Sequence, residues 1–301
     1  MAGENTSPLA LNVFPVTSVS RAGEPGMKIG KAAETALLVS RNLLFGANVA
    51  SLSMIGKPRD LFRYVGESLL LCHSMASRRG VPQRNVYEIL RPTRTNGCNG
   101  TAQQIVLGNL DGKGAWLQPE AAYAIDIVSL CLICRILQPK TVFEIGTLTG
   151  YTSLHFALNT DDDARIFSLD LPKDPSVRPR LKTDFADDMG IGRHSVAQAY
   201  CFENSPCASK ISLLFGDSAT FDFSPFYGKM DFCFIDGAHS YGYVRSDTLN
   251  VLKCCRPGSV IAWHDFGRAA VSGVARWVCE FARDHEVYSA PGGSLAYMVV
   301  R

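Results

Sequence analysis

Residues 140–151 constrain the fold of this chain most strongly, because their character changes from strand to turn to helix within a dozen positions. The segment reads KTVFEIGTLTGY. The β-branched and aromatic residues at 141–143 are typical of a buried strand, and Gly146 and Gly150 are typical of a turn that brings backbone close to another group. A helical stretch follows at 151–158, and the unpaired N–H groups at a helix start favour polar or anionic ligand groups. The segment therefore predicts a ligand-binding strand–turn–helix unit.

The spacing of the glycines narrows the class of ligand. The segment has the pattern E-x-G-x-x-x-G, whereas dinucleotide-binding proteins have G-x-G-x-x-G. An NAD-dependent oxidoreductase is therefore an alternative that the missing third glycine disfavours.

Composition excludes several classes of protein. The chain has 301 residues, 47% of them hydrophobic and 19% charged, as in a globular protein with a sizeable core. A net charge of +2 without a long basic run disfavours a general nucleic-acid binder. The apolar run 121–137 is interrupted by Asp126 and Arg135 and is shorter than the roughly 20 residues that a bilayer requires, so no membrane association is expected.

The cysteines and the N-terminus favour a cytoplasmic location. Ten scattered cysteines suit buried, reduced thiols better than a disulfide framework. Cys131 and Cys134 form a C-x-x-C pair inside an apolar helix, and packing in the core explains them best. The first residues lack the basic and apolar regions of a secretory signal.

The chain divides into three regions by pattern. Residues 1–28 are rich in Gly, Pro, Ser and Thr and are predicted to be disordered. Residues 29–118 form a helical N-terminal extension, with a short helix near 86–90, followed by a glycine-rich loop over 91–118. That loop is either a cap over a substrate or a linker, and the apolar helices before it offer a surface for a homodimer. Residues 119–301 form the main domain.

The main domain alternates between strands and helices. A helix at 120–137 precedes the first strand, and the last two strands, joined by Gly292–Gly293, can only be antiparallel. We predict an α/β protein with a Rossmann-like, doubly wound, seven-stranded sheet that is mostly parallel and has an antiparallel C-terminal hairpin, in addition to the N-terminal helical extension. The predicted strands are 141–146, 165–170, 211–215, 230–235, 259–263, 286–291 and 294–301, and helices are predicted at 149–158, 240–255 and 269–284.

Acidic residues lie at or just after the ends of the predicted parallel strands. In open α/β sheets ligands bind at the carboxyl ends of the strands. The acids are Glu144, Asp170, Asp217, Asp236 and Asp265. A carboxylate after the second strand can accept hydrogen bonds from both hydroxyls of a ribose, so Asp170 predicts a nucleoside cofactor; capping of a turn is its structural alternative.

Two motifs carry a resemblance to a known family. The stretches FIDGAHSY at 234–241 and RPGSVIAWHD at 256–265 resemble class I S-adenosylmethionine-dependent methyltransferases, especially the small-molecule O-methyltransferase branch with the catechol and macrolide-sugar enzymes. The resemblance covers roughly 119–301. It implies methyl transfer from S-adenosylmethionine to a small-molecule acceptor, most often at a hydroxyl oxygen. A non-catalytic nucleoside-ligand-binding or partner protein on the same fold is the alternative.

The resemblance also implies cofactor-binding residues. Glu144, Gly146 and Gly150 would surround the methionine part, and Asp170 would hold the ribose. The adenine edge would lie near Asp217 and Ser218, with Asp236 completing the cofactor-binding set.

The resemblance implies a catalytic and metal-binding group as well. Asp236 and Asp265 should end neighbouring strands about 4.8 Å apart and, with His264, could hold Mg²⁺ or another divalent ion. Metal-dependent relatives have an acidic pair or Asp-Asn where this chain has His264-Asp265, so a hydrogen-bonded histidine at a strand end is the alternative for His264. His239 lies where the macrolide-sugar enzymes place their general base, which makes His239 and Asp236 the predicted catalytic residues. Contact with the cofactor or a helix cap is the alternative for His239.

Overall fold

The protein is described here by a computed structural model. It describes residues 81–90, 104–108 and 121–301, apart from 173, 175, 185–186, 189–198 and 269–270, together with the isolated positions 66, 69, 70 and 73. The predicted disorder over 1–28 and most of the predicted extension and loop over 29–118 lie outside these residues. Within the described part of the chain, no helix combines the length and apolar character needed to cross a membrane.

The sheet has seven strands in the order β3-β2-β1-β4-β5-β7-β6. Strands β1 to β5 pair in parallel, whereas β7 is antiparallel to both β5 and β6. This confirms the predicted mostly parallel sheet with an antiparallel C-terminal hairpin. The strands are β1 (Thr141–Ile145), β2 (Arg165–Asp170), β3 (Ile211–Phe215), β4 (Met230–Ile235), β5 (Cys255–Trp263), β6 (Val287–Ser289) and β7 (Ala296–Val299).

Helices cover both faces of the sheet. One core cluster joins one sheet face to α4 and α5, and the other joins the opposite face to α1, α2 and α3. Alternate β1 residues divide between them, because Val142 lies in one cluster and Phe143 in the other. The doubly wound arrangement is therefore confirmed. The helices are α1 (Val86–Leu90), α2 (Ala121–Leu137), α3 (Tyr151–Leu158), α4 (Tyr241–Cys254) and α5 (Ser272–Phe281).

Several strand boundaries differ from their predictions, and the start of β5 differs most. Strand β5 begins at Cys255 rather than at 259, although Pro257 and Gly258 are poor strand residues. The pairing with β4 has an irregular register between Met230 and Phe232, which accommodates the extra residues. Gly258 adopts φ 86° and donates to the Val300 carbonyl. The cross-strand contacts therefore extend a strand that local propensity would have shortened.

The C-terminal hairpin turn packs against helix α2. A Cβ at Gly293 would lie 1.9 Å from Oδ1 of Asp126, so glycine is required at this contact. Cys131 and Cys134, on the same helix as Asp126, are buried, as the apolar pattern predicted. The turn and Asp126 together lie beside the end of β5, next to the predicted site.

Candidate functional site

The strand order brings the predicted residues to neighbouring positions along one edge. Strands β2, β1, β4 and β5 are adjacent, and they lead into Asp170, Gly146, Asp236 and Asp265 respectively. Gly146 has φ 98°, and a Cβ there would lie 2.1 Å from the Asp236 carbonyl oxygen. The first glycine thus allows the β1 turn to touch the end of β4, which places the turn directly beside Asp236.

The second glycine is constrained by an aromatic segment that sequence reasoning did not identify. Gly150 is the left-handed N-cap of α3, with φ 76°. A Cβ there would lie 2.4 Å from the ring of Phe202, which stacks on Tyr200 with centroids 5.4 Å apart. The backbone N–H of Cys201 donates to the Thr149 carbonyl at 3.0 Å. The glycine turn is therefore covered on one side by residues 200–202.

Glu144 lies beneath the turn and is fully buried. Its Oε2 accepts hydrogen bonds from the hydroxyls of Ser153 and Ser168, whereas Oε1 has no hydrogen-bond partner among the described residues. Burial raises the pKa of Glu144 to about 8, although the two serine hydroxyls oppose the rise. The negative charges of Asp236 and Asp170 raise it further. The site thus contains a buried acceptor atom without a donor.

Asp170 helps to shape the same turn. Its Oδ2 accepts from the Leu148 N–H at 3.0 Å, and Oδ1 accepts from the Leu171 N–H at 2.9 Å. Leu148 has φ 50°, a left-handed conformation that is uncommon for leucine. Asp170 therefore caps the turn, as the alternative interpretation expected. Its contact with a ribose stays a prediction.

Asp217 and Ser218 lie towards helix α4. The Asp217 carboxylate accepts from the Arg180 N–H at 2.6 Å, the Tyr243 hydroxyl at 2.8 Å and the Ala219 N–H at 2.9 Å. Ser218 is buried close to Asp247, a fully buried carboxylate with no described partner in hydrogen-bond geometry. Burial raises the pKa of Asp247 to about 7. The prediction that Asp217 and Ser218 lie at the adenine edge stays a prediction.

Asp236, His239 and Asp265 form the cluster most suited to chemistry. One ligand atom from each lies within 4.8 Å of the other two. His239 Nε2 is 3.1 Å from Asp265 Oδ2 and 3.8 Å from Asp236 Oδ1, yet it has no partner in hydrogen-bond geometry among the described residues. Asp265 has φ 58°, a conformation that non-glycine residues adopt mainly where the surroundings impose it. Two carboxylates and one imidazole nitrogen therefore converge at the ends of β4 and β5.

Asp187 holds the opposite side of the His239 ring, and sequence reasoning missed it. Its Oδ1 lies 2.8 Å from ring Nδ1 and accepts from the His239 backbone N–H at 2.9 Å. Its Oδ2 accepts from the Ser240 N–H at 3.3 Å. Asp187 belongs to the long connection between β2 and β3, where no motif marks one acid among several. No local pattern could have identified it.

His264 occupies a different environment, deeper in the protein. Its Nδ1 lies 3.1 Å from Asp236 Oδ1 and 3.3 Å from Asp265 Oδ1, and its Nε2 lies 3.3 Å from Asp126 Oδ2. Asp126 also accepts from the N–H and hydroxyl of Ser294 at 2.8 and 2.7 Å. Both ring nitrogens of His264 thus face carboxylates. Sequence reasoning treated Asp126 only as an interruption of an apolar run.

The electrostatics of this cluster follow from charge pairing. Burial alone would lower the pKa values of His239 and His264, but the surrounding carboxylates raise both well above the usual value. Burial would raise the pKa values of Asp236 and Asp265, yet the charge of His264 and the other basic groups lowers both. Arg268 contributes, with its Nε 3.0 Å from Asp265 Oδ1. Acids and bases at this edge therefore stabilise one another's charged forms.

Comparisons with known proteins identify relatives of part of the chain. Residues 143–266, roughly two fifths of the sequence, match a family described as a methyltransferase domain. A caffeoyl-CoA O-methyltransferase from Mesembryanthemum crystallinum is 26% identical over 135 residues, which cover 44% of this chain and 46% of that protein. The chain thus spans about half the length of this curated relative.

Solved structures with similar coordinates include two O-methyltransferases. One, from Streptomyces achromogenes, is involved in tomaymycin synthesis and contains S-adenosylmethionine; it has 18% identity and a TM-score of 0.43 and covers 63% of this chain and 86% of its own. The other, from Bacillus cereus, contains S-adenosylhomocysteine; it has 18% identity and a TM-score of 0.43 and covers 73% of this chain and 93% of its own.

Proposed function

We propose that this protein transfers the methyl group of S-adenosylmethionine to a hydroxyl oxygen of a small-molecule acceptor, because residues 143–266 match a methyltransferase-domain family and the chain has a mostly parallel, seven-stranded sheet. The observation that carries the proposal is the position of His239 Nε2 beside Asp265 and Asp236, since the Asp236 backbone also contacts the glycine turn. The relative named as a caffeoyl-CoA O-methyltransferase supports oxygen as the acceptor atom. A net charge of only +2 supports a small molecule over nucleic acid.

The residues around the turn fit a cofactor with an ammonium group and a ribose. Glu144 Oε1 is a buried acceptor without a described partner, which suits the ammonium group of the methionine part. Asp170 would accept from the ribose hydroxyls, and Asp217 and Ser218 would lie at the adenine. When bound, the cofactor supplies a methyl group on a positively charged sulfur.

His239 is suited to remove the acceptor proton. The neighbouring carboxylates raise the pKa of His239 well above its usual value, so the ring holds a proton strongly once it has taken one. Nε2 is an acceptor only in the neutral ring, and the neutral fraction grows as the pH rises. With the cofactor and an acceptor bound, Nε2 would take the proton of the acceptor hydroxyl as its oxygen receives the methyl group. Asp187 and Asp265, 2.8 and 3.1 Å from the two ring nitrogens, then stabilise the protonated ring.

A specific observation favours a second arrangement in which the cluster holds a metal ion. Asp236, His239 and Asp265 offer two carboxylate oxygens and one nitrogen within 4.8 Å of one another, and Nε2 lacks a hydrogen-bond partner among the described residues. This donor set fits Mg²⁺ or Mn²⁺, and the nitrogen favours the latter. When bound, the ion would lower the pKa of the acceptor hydroxyl. Nε2 cannot bind a metal and accept the proton together, so metal content and activity after chelation separate the two arrangements.

Calorimetry with S-adenosylhomocysteine tests the cofactor assignment. Wild-type protein should bind it and gain roughly 2.7 kcal/mol of stability at a hundredfold excess over Kd. Asp170→Ala should weaken binding at least tenfold, since it removes the acceptor for the ribose hydroxyls. Asp174→Ala is the matched control, because Asp174 is exposed and bonds to Ser176 in its own turn. Failure of the wild-type protein to bind would remove the basis of the proposal.

The alternative function is that of a ligand-binding protein without catalysis. It also predicts binding of the nucleoside ligand, but it predicts no methyl transfer. Mass spectrometry of a ligand that co-purifies with the protein would identify candidate acceptors. If such an acceptor is methylated and His239→Ala or Asp265→Ala slows the reaction, catalysis at this cluster is supported. If S-adenosylhomocysteine binds but no methyl transfer occurs with any co-purified molecule, the alternative is favoured.

A further inference from the structure

We propose that Asp187 is a positioning residue for His239: its carboxylate holds the proton of the neutral ring on Nδ1, so that the lone pair of Nε2 faces Asp236 and Asp265. The inference rests on the proposed function in one respect, namely that Nε2 is the atom that reacts with the acceptor or binds the metal.

The contact fixes both the backbone and the ring of His239. Asp187 Oδ1 lies 2.9 Å from the His239 backbone nitrogen and 2.8 Å from ring Nδ1. The Asp187 side chain is only 3% exposed, against 22% for His239. A carboxylate that is shielded from water and bonded twice to one residue leaves that residue little freedom to rotate its ring.

The position of Asp187 is itself fixed. Its backbone N–H donates to Asp184 Oδ1 at 3.1 Å, and the Asp184 N–H lies 3.3 Å from Asp187 Oδ2. The Ser240 N–H, at the N-cap of α4, also donates to Oδ2. An anionic group is favoured at this end of a helix. The carboxylate is therefore held from its own segment and from the helix that follows His239.

Two carboxylates on opposite sides of the ring compete for the single proton of the neutral imidazole. Asp187 meets Nδ1 in hydrogen-bond geometry, whereas Asp265 lies 3.1 Å from Nε2 without that geometry. An ionised carboxylate only accepts hydrogen bonds, so the ring places its proton on the nitrogen with the better partner. Without Asp187, the proton would move to Nε2 and bond to Asp265, and the lone pair would point away from the cluster.

The same segment also contacts the predicted cofactor side of the site. The Arg180 N–H donates to Asp217 at 2.6 Å, and Tyr243 of α4 bonds to the same carboxylate. The connection between β2 and β3 thus reaches Asp217 through residue 180 and His239 through Asp187. The orientation of the catalytic ring consequently depends on the segment that borders the predicted adenine edge.

The test compares Asp187→Ala and Asp187→Asn with wild-type protein, using the full chain. Asp188→Ala is the matched control, because it removes the neighbouring acid, which bonds to Thr183 rather than to His239. Long-range ¹H–¹⁵N spectra of protein with labelled histidine, recorded at alkaline pH, report which ring nitrogen carries the proton. A His239→Gln spectrum assigns the signal. Titrations with Mn²⁺ and with S-adenosylhomocysteine give the two affinities.

The wild-type and Asp188→Ala proteins should show the Nδ1–H form of His239. Both Asp187 variants should gain the Nε2–H form and bind Mn²⁺ about 10- to 100-fold more weakly, as expected when a carboxylate behind a ligating histidine is lost. Their affinity for S-adenosylhomocysteine should change less than about twofold, since the Asp187 carboxylate bonds to His239, Asp184 and Ser240 and not to the glycine turn. Asp187→Asn preserves the shape of the side chain. It can therefore replace the alanine variant in these measurements if the alanine variant does not fold.

Retention of the Nδ1–H form in either folded variant overturns the inference, even if its thermal stability falls, because stability alone indicates a structural role. The failure of the proposed function looks different. Wild-type protein that does not bind S-adenosylhomocysteine would end the methyltransferase proposal, while the ring signal would still decide the role of Asp187. If wild-type protein binds no Mn²⁺, the ¹H–¹⁵N signal of the His239 ring still decides whether Asp187 positions the ring.

Discussion

The carboxylates in and around the carboxyl edge of the sheet divide into two groups that differ in their partners. Asp187, Asp236 and Asp265 face imidazole nitrogens, and their pKa values are lowered by those bases although burial opposes the change. Glu144 and Asp247 are fully buried and face only hydroxyl groups and other acids, and burial raises their pKa values to about 8 and about 7. Charged partners and burial together therefore decide the charge of each acid.

The two groups therefore differ in what neutralises them. At the ends of β4 and β5 the chain itself provides His239, His264 and Arg268. Around β1 it provides no cation near Glu144 among the described residues, only the hydroxyls of Ser153 and Ser168. A buried acid without its own cation is suited to a cationic ligand. Under the proposed function, the first group would serve proton transfer or metal binding, and Glu144 would bind the ammonium group of the cofactor.

Removal of the His239 ring should have the largest effect. His239→Ala is expected to lower kcat for methyl transfer by about 10²- to 10⁴-fold, because the proton acceptor is lost. Affinity for S-adenosylhomocysteine should be nearly unchanged. Single-turnover kinetics with an identified acceptor, alongside calorimetry, measure both. A fully active variant would show that this imidazole is not the base.

Removal of the carboxylate that pairs with His264 should have the second largest effect, in this case on stability. Asp126→Ala removes the carboxylate beside His264 Nε2 and both hydrogen bonds to Ser294. The free energy of unfolding should fall by about 3–5 kcal/mol, as when one partner of a buried pair is removed. Urea denaturation at pH 7 measures it. As a control, Asp163→Ala breaks an exposed pair with Lys140 and should leave stability nearly unchanged.

Glu144→Gln tests whether the unpaired acid near β1 binds a cationic group. The variant should bind S-adenosylhomocysteine about 10- to 100-fold more weakly, since hydrogen bonds to charged groups contribute about 1.5–3 kcal/mol. Because the pKa of Glu144 is about 8 in the free protein, wild-type affinity should increase by up to about tenfold between pH 6.5 and 8.0 as the acid ionises. The variant should lack this pH dependence in calorimetry. Equal affinities at every pH would contradict the assigned contact.

Asp247→Asn should have the smallest effect, and it should raise the free energy of unfolding rather than lower it. The folded protein keeps a proton on Asp247 up to about pH 7, whereas the unfolded chain loses it near pH 3.8. Wild-type stability therefore decreases from this source as the pH rises between these values. The variant, which does not titrate, should be about 1–2 kcal/mol more stable at pH 8 and nearly equal to wild type at pH 5, because its buried amide still lacks partners. Urea denaturation at both pH values measures the difference. A constant difference would show that Asp247 is ionised in the folded state.

Local patterns predicted the fold well where strands are short and strongly apolar. Strands β2, β3 and β4 begin and end where the sequence predicted, because apolar runs are bounded by charged residues, glycine or a turn. The prediction failed at the start of β5, where pairing with β4 overrides the weak propensity of Pro257 and Gly258.

The sequence by itself determined which acids lie at the strand ends, since strand order in a parallel sheet brings those ends to one edge and the motifs around 144–150 and 234–241 mark them. The tertiary structure alone decided how each acid is partnered. Asp187 meets His239 across 52 positions of sequence, and Asp126 meets His264 because the C-terminal turn packs against α2. Such contacts depend on the path of a long connection and on how a helix docks, and neither leaves a periodic pattern in the sequence. The charges of the site are therefore set by packing between distant segments rather than by any local motif.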